Sequence, residues 1–95
     1  MHPSERVRIV TETARAVLEH RLDPEAGAQT LALQQEQISG FLRSDRIDVT
    51  RAEADVVALT LRRLAEQVAD RTPTDPNPAF VEMARILGAL AQSLR

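Results

Sequence analysis

The sequence predicts an all-α fold, a small antiparallel four-helix bundle built from two helical hairpins in a single domain covering residues 1–95. Apolar residues recur at steps of three and four along most of the chain, which is the spacing of one helix face. An N-capping residue followed by proline occurs at Asp23–Pro24 and again at Asn77–Pro78, a pattern typical of helix starts. The connection before Pro24 is so short that the first two helices should form a hairpin.

The first hairpin is predicted to hold helices over about residues 3–21 and 24–43. The first helix must end at or before Asp23, because the residue preceding a proline is disfavoured in the α conformation. In the second helix Gln35 occupies a place in the apolar stripe where another apolar residue would fit. Ser39 and Gly40 leave two interpretations, a helix that ends there or one that continues to residue 43, and we favour continuation.

The second hairpin is predicted to hold helices over about residues 51–71 and 78–94. Thr50 and Glu53 match a capping box at the start of the third helix. Three prolines within residues 72–78 indicate a stiff, extended connection. The fourth helix is apolar on most sides, so it has to be enclosed by other helices or by a partner chain. Its apolar residues are Phe80, Val81, Met83, Ala84, Ile86, Leu87, Ala89, Leu90, Ala91 and Leu94.

The composition predicts a cytoplasmic protein without a membrane segment. The apolar share of 43% and the charged share of 27% are ordinary for a folded domain. The chain has no cysteine, so it lacks a disulfide framework and a thiolate nucleophile. Its N-terminus lacks the basic and then apolar pattern of a signal peptide, and no apolar run reaches the roughly 20 residues that span a bilayer.

The sequence does not predict an enzyme, a cofactor or a metal site. His2 and His20 are separated by a helix, and Asp45 and Asp48 lack the alternation of a calcium loop. The serines lie in no nucleophile motif, there is no lysine, and the three glycines are isolated rather than grouped in a phosphate-binding loop. We therefore expect no catalytic, cofactor-binding or metal-ligating residues.

The leading hypothesis is a protein-interaction module, either a homodimer or an adaptor or regulatory subunit. The fourth helix shows more apolar sides than three small helices can cover, and two residues of the third helix lie off its main stripe. Gly88 in mid-helix costs about 1 kcal/mol relative to alanine, so a close helix contact there is a reasonable explanation. The predicted interaction residues are Val56, Leu59, Val81, Ile86 and Gly88.

Two alternatives remain open. Residues 29–46 loosely match a helix-turn-helix, in which Arg43 and Arg46 would contact DNA phosphates. The net charge of −2 argues against this DNA-binding regulator, because such proteins normally carry a basic excess. A small molecule held in the bundle interior is the other alternative, and it rests on Gln35 among apolar neighbours. Nucleic acid is thus the less favoured partner, and no membrane partner is expected.

Overall fold

The structure, a computed structural model, describes residues 3–43, 51–74 and 76–93. Four helices follow one another, and no strand occurs in these ranges. They pack as a small bundle, which confirms the predicted all-α fold class. The helices are α1 (Pro3–Leu18), α2 (Pro24–Arg43), α3 (Arg51–Asp70) and α4 (Pro78–Ser93).

The core is a single apolar cluster to which all four helices contribute. α4 supplies the largest share, since six of its residues are buried. Of the two expectations for α4, enclosure by the other helices or by a partner chain, the first accounts for these six buried residues. The buried apolar side chains are Val10, Ala14, Val17, Ala28, Leu31, Ile38, Ala58, Leu61, Leu64, Val68, Phe80, Met83, Ile86, Leu87, Leu90 and Ala91.

The two hairpins lie side by side. Within them α1 contacts α2 and α3 contacts α4, and between them α1 contacts α3 and α2 contacts α4. Arg71, just after α3, donates from Nη2 to the carbonyl oxygen of Leu18 at the end of α1. Asn77, just before α4, donates from Nδ2 to Glu25 Oε1 in the first turn of α2, at 2.9 Å. The ends of α1 and α3 and the starts of α2 and α4 therefore meet at one end of the bundle.

The first helix ends at Leu18, three residues earlier than predicted. His20 adopts a φ of 62°, in the left-handed region that stops a helix. Its N–H donates to the carbonyl of Val17 at 3.1 Å, and the N–H of Arg21 donates to that of Ala16 at 2.8 Å. These two bonds define a Schellman motif, which here has histidine where glycine is usual. The predicted end of the helix was wrong because residues 19–21 contain no glycine, which is the usual sequence signal for the end of a helix.

The second helix is continuous over its whole described length, as we favoured. It therefore has no turn at Gly40, where the loose helix-turn-helix match over residues 29–46 would need one, and residues 44–46 of that match lie outside the described residues. The side chain of Arg43 and the whole of Arg46 lie outside the described residues, as does the predicted capping box. Gln35 is partly buried, whereas its neighbour Gln34 is only 8% exposed, and Gln34 Oε1 accepts from Arg6 Nη1 at 3.4 Å.

The predicted start of α4 is confirmed at atomic detail. The side-chain Oδ1 of Asn77 accepts from the N–H of Ala79 at 2.9 Å, which is the contact that an N-cap residue makes. At the other end, α3 finishes at Asp70, one residue before the predicted limit, and α4 is helical to the last residue described, Ser93. Over the described part of the chain, no helix combines the length and the apolar character needed to cross a membrane.

Candidate interaction surface

Among the side chains that the structure describes, four large apolar ones lie on the outside of the bundle. Val56 and Leu59 belong to α3 and are 65% and 47% exposed. Val81 of α4 is 57% exposed, and Leu33 of α2 is 54% exposed. Isolated apolar residues are normal on protein surfaces, whereas neighbouring ones indicate a contact surface. Val56 and Leu59 lie three residues apart on one helix and are neighbours, because residues at this spacing share a helix face.

The outward face of α3 combines these apolar residues with two charges. Asp55, Leu59 and Arg63 follow each other at steps of four, so they form one ridge along the helix, and all three are exposed. We call these three residues the α3 ridge. Val56 lies beside it. The opposite side of the helix faces the core through Ala58, Leu61, Leu64 and Val68.

The two charges of the α3 ridge have no ionic partner among the described residues, although several other surface charges do. Arg8 pairs with Glu12 at 3.4 Å, and Arg21 pairs with Glu19 at 3.1 Å. On α4 the guanidinium of Arg85 holds both carboxylate oxygens of Glu82, and this hydrogen bonding lowers the pKa of Glu82.

Asp55 and Arg63 lie eight residues apart, more than 10 Å along a helix axis that rises 1.5 Å per residue. They are therefore too far apart to pair with each other. A charge of each sign is left available on the same ridge, one turn before and one turn after Leu59.

A second arginine lies near Arg63. Arg15 of α1 lines with it a groove of about 210 Å³ between α1 and α3, together with Thr60, Leu64 and Gln67. No acidic side chain lines this groove. Positive charge is therefore concentrated at the α1 side of the α3 ridge, which favours an incoming carboxylate.

The structure divides the five predicted interaction residues. Val56, Leu59 and Val81 are at the surface. Ile86 is fully buried, so it belongs to the core of the single chain and has no exposed surface to offer. The apolar stripe of α4 is simply wider than one face, because both α2 and α3 pack against this helix.

Gly88 also differs from expectation. A Cβ atom added at Gly88 would find no atom within 4 Å, so no close helix approach occurs there within the described chain. The close approach is at Gly27 of α2 instead, where a Cβ would lie 2.5 Å from Val17 Cγ2 of α1. Gly27 lies near the start of α2, and its isolation in the sequence gave no signal for this contact.

Sequence reasoning missed two features of the surface. The presence of one charge of each sign on the α3 ridge, Asp55 and Arg63, could have been found from their spacing around Leu59. The contact of Arg71 with the end of α1 could not, because it joins residues 53 positions apart. Within the described ranges, no three side chains of the metal-binding types come together to hold an ion.

The fold and this surface define a class only: a small helical bundle with a partly apolar, charged face on α3. No family model matches the chain, and no curated protein or solved structure shows significant similarity to it.

Proposed function

We propose that this chain is a small cytoplasmic protein-interaction module, without catalysis of its own, that binds its partner through the outward face of α3. The observation that carries the proposal is the adjacent exposure of Val56 and Leu59 beside two charges, Asp55 and Arg63, that have no ionic partner among the described residues. The core is complete without these two side chains, so their apolar character has no role inside the bundle that the structure describes.

The binding energy available from this face is modest. Full burial of a valine or leucine side chain contributes about 1.5–3 kcal/mol. Since roughly half of each side chain is still exposed, covering Val56 and Leu59 would contribute about 1–1.5 kcal/mol each. The sum corresponds to about a hundredfold in the binding constant. This is enough to select one face, although not enough for a tight complex without further contacts.

The other exposed apolar residues support a contact surface less well. Val81 is accompanied on its side of α4 by Arg85, which Glu82 already pairs, and Leu33 is a single residue on α2. Neither has an unpaired charge of each sign beside it in the way that Leu59 has. No comparable observation favours DNA binding, since α2 lacks a turn at the place where the motif was expected.

Site-specific cross-linking in cells tests the proposal. A photoreactive amino acid placed at residue 59 should give a discrete cross-linked product, whose partner peptide is identified by mass spectrometry. The matched control places the same amino acid at Gln29, which is exposed on α2. The helix α2 packs mainly against α1 and α4 rather than against α3, so residue 29 lies away from the proposed contact face. A yield at residue 59 no greater than at residue 29 would contradict the proposal, because the α3 face would then be no preferred contact.

A further inference from the structure

We propose that the partner of the α3 ridge is a second copy of this chain, docked with its α3 antiparallel to the first. The inference rests on the proposed function and adds the identity and orientation of the partner. It depends on the order of the three residues in the ridge, which is acid, leucine and base at equal spacing.

The spacing suits the most common way in which helices pack. Residues at steps of four form ridges, and in the commonest class of helix contact such ridges of the two helices run alongside each other. Asp55, Leu59 and Arg63 form one of these ridges, and every residue in it is exposed. The α3 ridge can therefore lie alongside the same ridge of another molecule, in the groove next to it.

The charges select the antiparallel orientation. With Leu59 on a two-fold axis, Asp55 of each chain lies beside Arg63 of the other, and two equivalent ion pairs flank a contact between the leucines. A parallel arrangement would place like charges together, which is unfavourable. Two-fold dimers are the commonest closed assemblies, and their contact surface has to be complementary to itself. The α3 ridge meets this requirement.

The surroundings of the ridge agree with this arrangement. Arg15 lies along the same groove as Arg63, so the carboxylate of Asp55 from the second copy would meet two guanidinium groups. Val56 lies beside the ridge and would be covered by the second copy. A contact of one helix pair is smaller than the roughly 1,200 Å² at the lower limit of stable interfaces. We therefore expect a dimer that forms in a concentration-dependent way rather than a permanent one.

Charge reversal tests the orientation. D55R and R63D each replace both attractive contacts by repulsive ones and should weaken self-association by about tenfold. The double variant D55R/R63D should restore it, since the order of charges is only inverted. An equimolar mixture of D55R and R63D chains should form mixed dimers, because one chain then carries two bases and the other two acids on the ridge.

Sedimentation equilibrium measures the association constants, and circular dichroism verifies that each variant keeps its helix content. E36R is the control for the change in net charge, since Glu36 is exposed on α2 and E36R changes the charge as D55R does. It should leave association unchanged. If the wild type self-associates but the mixture of D55R and R63D chains does not regain association, the antiparallel contact between two α3 ridges is wrong.

A wild-type chain that stays monomeric at every concentration would overturn the second copy as partner. In that case a cross-link from residue 59 to a different protein would leave the proposed interaction module in place. The absence of both self-association and a specific cross-link would contradict the proposed function itself. The two proposals therefore fail in distinguishable ways.

Discussion

The substitutions Gly27→Ala and Gly88→Ala are expected to change stability in opposite directions. Both glycines lie inside helices, so alanine at either place should contribute up to about 1 kcal/mol through helix propensity. At Gly88 the new Cβ meets no atom within 4 Å, and this gain should be seen in full. At Gly27 the new Cβ would lie 2.5 Å from Val17 Cγ2, so either the Val17 side chain or one of the helices α1 and α2 must move.

The magnitude follows from the stiffness of the neighbour. Valine has one strongly preferred rotamer in a helix, so Val17 cannot rotate away cheaply. Overpacking of this kind costs about 1–3 kcal/mol. The helix-propensity contribution is common to both substitutions and cancels in their difference. Gly88→Ala should therefore be more stable than Gly27→Ala by about 1–3 kcal/mol, and for a domain of this size each kcal/mol corresponds to about 4–8 °C in Tm.

Thermal and urea unfolding followed by circular dichroism measures the difference, since the chain has no tryptophan or tyrosine for fluorescence. A Gly27→Ala variant as stable as Gly88→Ala would refute the close packing of α1 against α2. The mass of Gly88→Ala in solution supplies a second result. Unchanged self-association would place Gly88 outside the dimer contact, as the α3 ridge requires.

Three further predictions concern the ends and the core of the bundle. His20→Gly should raise the free energy of unfolding by about 0.5–1 kcal/mol because the left-handed conformation is unstrained in glycine, whereas unchanged or lower stability in urea unfolding would contradict the strain. Ile86→Ala should lower it by about 2–5 kcal/mol, while Val81→Ala should stay within about 0.5 kcal/mol; equal effects in the same assay would contradict the assigned faces of α4. The hydrogen bond from Asn77 lowers the pKa of Glu25 below its usual value of 4.5. The ionised Glu25 carboxylate therefore contributes its full stability above pH 4.5, and this contribution is lost as the pH falls through the folded-state pKa. NMR titration should show the pKa of Glu25 rising toward 4.5 in Asn77→Ala, and an unchanged pKa would exclude this cause.

Much of the fold could be predicted because its signals are local. The starts of α2 and α4 follow from Asp23–Pro24 and Asn77–Pro78, where capping chemistry and proline act over two residues. The end of α1 could not be predicted in the same way. His20 takes a conformation for which glycine is the usual signal, and the contact of Arg71 with the Leu18 carbonyl joins distant parts of the chain.

The surface of the bundle was predictable only in part. Val56 and Leu59 lie off the main stripe of α3 and are exposed, as their spacing predicted. Ile86 lies off the main stripe of α4 in the same manner, yet it is buried. Which flank of each helix is covered is fixed by the packing of the two hairpins rather than by periodicity.

The mass of the chain in solution shows whether the α3 ridge joins two copies of the chain. Size-exclusion chromatography with light scattering and refractive-index detection, across micromolar to millimolar concentrations, compares the wild type with Leu59→Asp. The wild-type mass should rise from the chain mass of 10.5 kDa toward twice that value as the concentration increases. Leu59→Asp should remain at the chain mass with unchanged helix content. A wild-type mass that stays at 10.5 kDa throughout, or a Leu59→Asp variant that still dimerises, would contradict the α3 ridge as the dimer contact.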